Sequence, residues 1–470
     1  MKHFLQRLFA FSLGPVIGAL ISIIQIPILT RLMLPAEYGA SGLFRNLMLN
    51  LPNFLYLGLD QAFSREFYIH PRKKELFQQS LLIPLGLGIV LAVFMMFFNQ
   101  PIGQWLFGQD QAGTVIILAA VLLISMVIER FVLLAIRMQE KAKEYSAFTI
   151  LIKALIFILS LILIAIGVRD YRVVVYGMIF GQLIADAILF YRYRHFFDPR
   201  AFVWDPVLVK KLVTFGLPLV LAMSLNSILN TIDSVMLNTV STKKELGYYQ
   251  AGFVIVNVIG ILKTAFATFW TPTAYRWHDE GKSMKHFKFI SDALLFILTG
   301  IYFALLVFRP VIMMVLGEKF QPAQSLLGLL CFPHIMYTLS ETTTLGIVFS
   351  RKTYFNILVS LLALLPSLML HLIFTPQWGA LGAAVASCGA YVAFYLARTY
   401  FSSRTGFSFK QGKHLITIVL MLLAAFLNAT ERPERCWGIL LLGLLAFVVQ
   451  FSTLKEVYSI WKRPQEWDFN

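Results

Sequence analysis

Charged side chains are scarce in this sequence. Of its 470 residues, only 14% are Asp, Glu, Lys or Arg, where a soluble protein has roughly 25%, and 58% are apolar. The mean hydropathy is +0.74. A soluble fold is excluded because lipid, not water, must solvate so much apolar surface. The sequence predicts an all-α polytopic membrane protein.

Cysteines and the signatures of enzyme sites are also scarce. The three cysteines Cys331, Cys388 and Cys436 lie far apart, with neither a CxxC pair nor a cluster with histidine, so neither a disulfide framework nor a zinc site is predicted. There is no HExxH sequence. Gly281-Lys282-Ser283 does not end a phosphate loop because position 276 is arginine where the first glycine is needed. We therefore expect no enzyme activity, no metal and no cofactor.

Long apolar runs are what the sequence has instead. Runs of about 18 to 25 residues can cross a bilayer as helices, and they predict about fourteen transmembrane spans. The loops between them are too short to hold an extramembrane domain. The predicted spans are 8–30, 40–60, 79–99, 113–135, 147–167, 173–191, 215–239, 248–270, 289–308, 323–349, 354–374, 379–398, 414–429 and 437–454.

The basic residues predict the orientation. Lys and Arg number 40 against 24 Asp and Glu, a net charge of +16 that in a soluble protein would suggest a nucleic-acid partner. Here the basic residues lie in alternate short loops, with about three times as many on the side of the N-terminus as on the other. We therefore predict cytoplasmic N- and C-termini, no nucleic-acid partner, and contact of the basic loops with anionic lipid headgroups.

Two short motifs recur after six predicted spans. Phe11-Ser12-Leu13-Gly14-Pro15 opens the first span and Thr214-Phe215-Gly216-Leu217-Pro218 opens the seventh, and the next outer loops carry Glu37-Tyr38-Gly39 and Glu245-Leu246-Gly247. An even number of spans keeps both copies in one orientation, so the sequence predicts two six-helix lobes related by a parallel repeat, with a central cavity between them. The predicted domains are an N-lobe at 1–195, a cytoplasmic linker at 196–213, a C-lobe at 214–403, and two peripheral helices with a cytoplasmic tail at 404–470.

Two glycine pairs, Gly14 with Gly18 and Gly177 with Gly181, are spaced four residues apart within apolar spans. Glycines at this spacing leave a smooth helix face that a neighbouring helix can approach closely. We predict close helix packing at both pairs.

Polar residues recur at helical spacing in several spans, and such faces must point away from lipid. They are candidates to line the cavity or to couple transport to an ion. The alternative for the Asn residues is interhelical hydrogen bonding that holds the bundle together. The candidates are Asn46, Asn50, Asn53 and Asp60 on one predicted face of the second span, Asn230 and Asp233 in the seventh, Asn257 in the eighth, and Glu341 in the tenth.

Four basic residues are predicted within or at the ends of spans. Lys153 and Lys263 fall toward the cytoplasmic ends and Arg31 and Arg45 toward the outer ends of their helices. A cation costs roughly 2.5–3.5 kcal/mol near a helix centre, so something must offset this cost. We expect these four cations to line a hydrated cavity for an anionic substrate; the alternative is structural pairing with Asp186, Asp233 or Glu341.

The first two spans carry a pattern found in a known family. Residues 27–39, PILTRLMLPAEYG, are followed by Leu57-Gly58-Leu59-Asp60-Gln61-Ala62 and Ser64-Arg65-Glu66. This pattern resembles the polysaccharide-export flippases of the O-antigen type, in the multidrug/oligosaccharidyl-lipid/polysaccharide (MOP) exporter superfamily. The size, the number of spans and the parallel repeat agree with the resemblance.

The resemblance implies an inner-membrane flippase. Such a protein moves an undecaprenyl-diphosphate-linked oligosaccharide from the cytoplasmic to the periplasmic leaflet by alternating access, for O-antigen or capsule-type polysaccharide. It also implies a polysaccharide polymerase and a chain-length regulator as partners, and contact of Arg31, the arginine of the Thr-Arg motif, with the diphosphate. Two alternatives belong to the same superfamily: a lipid II flippase, with similar charges, and a multidrug or cation antiporter, whose cavity should be acidic.

Overall fold

Helices form all the regular structure in the part of the chain that the computed structural model describes, which comprises residues 2–109, 112–198, 202, 204–350, 352, 354–430 and 434–462. The predicted all-α class is confirmed. The chain divides into two compact units, Met1–Thr239 and Val240–Asn470.

The first unit begins with α1 and includes nearly all of α10. A short 3-10 helix, Arg194–Phe197, follows α9. The bounds are α1 Lys2–Leu32, α2 Pro35–Asn50, α3 Pro52–Leu55, α4 Leu59–Glu66, α5 Lys73–Phe97, α6 Asn99–Phe107, α7 Gly113–Met138, α8 Ala142–Ala165, α9 Arg172–Arg192 and α10 Pro206–Val240.

The second unit runs from α11 to α20. A 3-10 segment, Glu318–Ser325, precedes α14. The bounds are α11 Lys243–Asp279, α12 Met284–Val307, α13 Arg309–Leu316, α14 Leu327–Thr343, α15 Leu345–Phe349, α16 Tyr354–Trp378, α17 Ala380–Ser403, α18 Gly412–Ala429, α19 Arg435–Val449 and α20 Phe451–Lys462.

The apolar helices make this chain a multi-pass membrane protein. Among the described residues, 10 helices are long and apolar enough to cross a membrane, or 11 if α19 and α20, which meet at a bend of 48°, form one broken span. The other predicted spans lie in α1, where Leu20–Leu32 is a shorter apolar stretch, and in the interrupted helices over 40–60 and 323–349.

The second predicted span is not one continuous helix. Pro52 lacks an N–H for the helical ladder, and Leu57 and Gly58 adopt left-handed backbone angles, with φ of 47° and 69°. The chain therefore turns before α4 begins at Leu59. The prediction that Asp60 continues the helical face of Asn46 is wrong for this reason.

The predicted glycine packing sites are confirmed within the first unit. A Cβ atom on Gly14 would come within 2.8 Å of Ser146 on α8, and one on Gly18 within 3.2 Å of Lys153. On α9, a Cβ on Gly181 would come within 2.6 Å of the Ile156 backbone. Helix α8 is therefore held closely between α1 and α9, and larger residues at these positions would force the helices apart.

The recurring glutamates make the same contact in each unit. Glu37 Oε2 accepts a hydrogen bond of 3.0 Å from the backbone N–H of Tyr171, at the start of α9. Glu245 Oε2 accepts one of 3.0 Å from the N–H of Ala380, at the start of α17. A carboxylate here satisfies a free N–H and interacts favourably with the helix dipole. The contacts join equivalent helices of the two predicted repeats.

Helix α10 is where the predicted lobes and the observed units differ. The sequence assigns residues 214–239 to the second lobe, whereas the units divide between Thr239 and Val240. In the first unit α10 contacts α3 through Ser227 and α4 through Lys211. These contacts link α10 to the first unit, and the lobe boundaries stay a prediction.

Polar contacts tie the last helices to α12. Asp292 is 1% exposed and accepts hydrogen bonds of 2.9 Å from both Lys288 and Lys413, the second of which lies on α18. Gln450, at the end of α19, donates to the Thr299 hydroxyl at 3.1 Å. These bonds add to the apolar packing of α18 and α19 on the second unit.

Truncation after Ser403 should lower the abundance of the protein more than its activity per molecule. It removes one of the two cations that hold buried Asp292, and a hydrogen bond to a charged group contributes about 1.5–3 kcal/mol. Quantitative immunoblotting of membranes measures the abundance, with truncation after Lys462 as the control that keeps α18 and α19. Normal abundance with no activity would instead assign these helices to the transport path.

Candidate functional site

The polar faces predicted in the second and seventh spans meet within the first unit. The Asn46 amide on α2 donates to the backbone carbonyl of Asn230 at 3.2 Å and to the Ser234 hydroxyl at 3.3 Å, both on α10. Asn53 on α3 donates to the Ser227 hydroxyl at 3.2 Å. These are interhelical hydrogen bonds, the contacts that the structural alternative describes.

Two further members of these faces lie close by. The Asn50 amide donates to the side-chain oxygen of Asn46 at 2.7 Å, so it orients the amide that reaches α10. Asp233 is buried on α10, with 8% of its surface exposed. The seam between α2–α3 and α10 is therefore held by side-chain amides and hydroxyls, which can exchange these bonds for bonds to water when the helices separate.

The predicted cations of the first unit differ in burial. Arg31, near the end of α1, is exposed, whereas Arg45 on α2 and Lys153 on α8 are half-buried. The Arg45 guanidinium interacts with the Tyr38 hydroxyl two turns earlier on α2 and lies within electrostatic reach of Lys153. Arg45 and Lys153 therefore lie close to each other. Arg31 differs from both because its side chain is exposed.

A carboxylate pair lies beside Lys153. Gln182 on α9 donates from its amide to Glu129 on α7 at 2.7 Å and to Asp186 at 3.2 Å, and Ser125 donates to Asp186 at 2.6 Å. Asp186 therefore has hydroxyl and amide partners, and Glu129 is the acid that the sequence reasoning missed. Glu129 could have been identified from the sequence because it is an acidic residue within an apolar span.

Asp60 forms the most deeply buried ion pair of the first unit described here. Its Oδ2 lies 2.7 Å from the Arg130 guanidinium of α7, and Asp60 is 0% exposed. Arg130 also lies 5.7 Å from the centroid of the Tyr56 ring. Arg130, Tyr56 and Glu129 border a cavity of about 140 Å³. Arg130 was also missed, although it follows Glu129 in the same apolar span.

A second cluster of charges lies in the second unit. Lys263 on α11 places its ammonium 3.6 Å from the centroid of the Tyr337 ring on α14. Arg398 on α17 lies 5.1 Å from the same ring and forms an ion pair of 2.7 Å with Glu341. Lys263 and Glu341 therefore lie in one cluster, as the structural alternative allowed, and Arg398, which the sequence places at the edge of a loop, completes it.

The charge of this second cluster does not cancel. Two cations, Lys263 and Arg398, face one carboxylate, Glu341, and all three side chains are half-buried. The Tyr337 ring provides a face for both cations, which an aromatic quadrupole stabilises. Asn257, by contrast, is exposed on α11 almost two turns before Lys263. The cluster can therefore accept an anionic ligand that brings the compensating charge.

Fold and charges together define a helical, multi-pass membrane protein whose embedded cations exceed their local acids in the second unit. A family model described as "Polysaccharide biosynthesis protein" matches residues 4–278. Because this match covers more than half of the chain, the chain belongs to that family. None of the curated proteins matches the sequence.

Solved structures share the fold. The lipid II flippase MurJ in an inward closed conformation has a TM-score of 0.70 at 14% identity, covering 97% of this chain and 99% of that one. An inward-facing multidrug resistance MATE family transporter has a TM-score of 0.61 at 15% identity, covering 85% and 94%. A MOP superfamily transporter from Pyrococcus furiosus has a TM-score of 0.51 at 14% identity with the same coverage. At these identities the structures show a shared fold, and the family model confirms the predicted resemblance to a polysaccharide biosynthesis family.

Replacement of Arg130 tests whether its ion pair is structural. Arg130→Ala leaves the buried Asp60 carboxylate without its cation, which should lower the free energy of unfolding by about 3–5 kcal/mol. Asp60→Asn in the same chain should restore most of the loss because no buried charge remains. Thermal unfolding in detergent measures both.

Arg137→Ala is the matched control, because Arg137 lies two turns later on α7, borders the same cavity and is exposed. It should unfold like the unmodified protein. An Arg130→Ala protein of normal stability would show that Asp60 does not depend on this cation.

Proposed function

We propose that this protein is a flippase, not an enzyme, and that it moves an undecaprenyl-diphosphate-linked oligosaccharide from the cytoplasmic to the periplasmic leaflet by alternating access. The product serves surface polysaccharide of the O-antigen or capsule type. Membership of the polysaccharide biosynthesis family supports the pathway. The fold shared with a lipid II flippase supports translocation of a lipid-linked sugar.

The observation that carries the proposal is the cluster of Lys263, Arg398 and Glu341 on Tyr337. A guanidinium can bind two phosphate oxygens at once, and a lysine adds a point charge beside it. Aromatic rings such as Tyr337 and Phe394, which lies 4.8 Å from Arg398, offer apolar faces beside the charges. A diphosphate carrying sugars matches this combination.

The first unit offers a second place for negative charge. Arg45 and Lys153 are both half-buried and lie within electrostatic reach of each other, with Glu129 beside Lys153. A substrate with about two negative charges is driven outward by an inside-negative potential, at roughly 2.3 kcal/mol per charge per 100 mV. Embedded cations lower the cost of taking those charges out of water.

A lipid II flippase is the second candidate. The MurJ structure matches 97% of this chain at a TM-score of 0.70, and a lipid II flippase is expected to carry similar charges. A multidrug or cation antiporter fits less well, because the excess positive charge at Lys263 and Arg398 repels cations.

The proposal includes the cellular setting. The protein acts in the inner membrane with both termini in the cytoplasm, beside a polysaccharide polymerase and a chain-length regulator. It uses no nucleic acid. Anionic lipids surround its basic loops.

Deletion of the gene tests the substrate. We expect a lipid-linked oligosaccharide repeat unit to accumulate, with its sugars inaccessible to reagents added outside spheroplasts. Mass spectrometry of extracted lipids identifies it. Accumulation of lipid II instead would support the second candidate, and the absence of any accumulated lipid-linked sugar would contradict both.

Single replacements test the cations. Lys263→Ala and Arg45→Ala should each reduce surface polysaccharide at least tenfold at normal protein abundance, because each removes a contact worth about 1.5–3 kcal/mol to a charged group. Arg398→Lys should retain part of the activity, since lysine keeps the charge but loses the two-pronged contact.

Lys410→Ala is the control, because Lys410 is basic but exposed. Polysaccharide blots normalised to immunoblots give the readout. Normal export by Lys263→Ala and Arg45→Ala together would place the substrate path elsewhere.

A further inference from the structure

A cavity of about 560 Å³ opens between α4 and the first turns of α10, within the first unit. Both elements belong to segments predicted to face the cytoplasm. Its polar lining comes from Arg65 and Glu66 on α4 and from Lys210, Lys211 and Thr214 on α10. None of these side chains belongs to the membrane-embedded clusters described above.

The lining has more positive than negative charge. Lys211 is neutralised by an ion pair, because its ammonium lies 2.6 Å from the carboxylate of Glu66, whose side chain is 7% exposed. Arg65 and Lys210 remain, and among the described residues neither has a carboxylate within ion-pair distance. Two exposed cations beside a neutralised pair form a site for a doubly or singly charged anion.

The position of Arg65 is fixed by packing. Its guanidinium lies 4.5 Å from the centroid of the Phe215 ring, so α10 supplies a platform for a side chain of α4. The two helices are held together where Gly58 meets Gly216, since a Cβ on Gly58 would come within 2.5 Å of the Gly216 carbonyl oxygen. The cations are therefore preorganised by backbone contact.

The rim of the cavity is apolar and open. Val207, which lines it, is 77% exposed, and Leu217, further along α10, is 60% exposed. Trp204, just before α10, is 54% exposed, and tryptophan concentrates at the level of lipid headgroups. An anion that binds here meets both the cations and an exposed apolar lining residue, Val207, which suits an acyl chain.

We propose that this cavity binds the phosphate group of an anionic phospholipid at the predicted cytoplasmic surface. The phosphate oxygens contact Arg65 and Lys210, the Thr214 hydroxyl is available as a donor, and the acyl chains lie along the apolar rim at Val207. The site is independent of the proposed substrate path. Free phosphate or the diphosphate of a lipid-linked sugar would present the same oxygens, and the experiment separates these sources.

Native mass spectrometry of the full chain in detergent tests the proposal, with phosphatidylglycerol as the probe and phosphatidylcholine as the uncharged comparison. Arg65→Gln with Lys210→Gln should weaken phosphatidylglycerol binding roughly 30-fold, from about 1 kcal/mol for each basic residue. Lys74→Gln with Lys410→Gln is the matched control, since it removes the same charge from exposed positions outside the cavity. It should bind like the unmodified protein.

Two further variants distinguish a loss of binding from a loss of folding. Arg65→Lys with Lys210→Arg keeps both charges and should bind within about threefold of the unmodified protein. Phe215→Leu keeps both charges but removes the ring beneath Arg65, and it should give an intermediate loss. Equal binding of phosphatidylglycerol by the double glutamine variant and its control, or equal binding of both lipids by the unmodified protein, would overturn the proposal.

Competition identifies the source of the phosphate. Millimolar inorganic pyrophosphate should fail to displace phosphatidylglycerol, because it lacks the acyl chains; full displacement would overturn the assignment to a lipid. Undecaprenyl diphosphate should bind no more tightly than phosphatidylglycerol. Binding tenfold tighter, lost in the double glutamine variant, would overturn the phospholipid assignment in favour of the transport substrate, and it would do so even if the proposed export activity failed its own test.

Discussion

Ion pairs between cations and buried or half-buried carboxylates hold helices together in both units. Asp60 has Arg130, Asp292 has two lysines, and Glu341 has Arg398. Except for Lys288, which lies on the same helix as Asp292, each cation belongs to an element distant in sequence from its acid, so these charges become bonds between helices. The apolar surfaces bring the helices into a bundle, and the ion pairs specify which helix faces which.

The cations therefore fall into two groups, which differ in whether a carboxylate neutralises their charge. Arg130 neutralises an acid that is wholly buried, and its charge is used within the fold. Lys263 lies over an aromatic ring beside the Arg398–Glu341 ion pair, so this cluster keeps one positive charge in excess. A protein that carries an anion through a membrane needs cations of the second kind, and the first kind supports them.

Much of this was predictable from the sequence, because transmembrane helices follow from apolar runs and the family follows from the motif around Arg31. The two glutamates that cap α9 and α17 also left a signal, since their flanking residues recur. The sequence could not reveal that Arg130 reaches Asp60 across 70 residues, because pairing depends on tertiary packing. Nor could it predict the turn at Leu57, since a leucine with positive φ carries no local signal.

The glutamate caps also impose an order on biosynthesis. Glu37 and Tyr171 are separated by 134 residues, and Glu245 and Ala380 by 135. Each glutamate leaves the ribosome early and stays without its helix partner until the sixth span of its own repeat has been made. Because the chain is made from its N-terminus, the first cap can close before α11 exists. The first cap can thus form while the second repeat is still being synthesised, and the second cap can form only after α17 has been made.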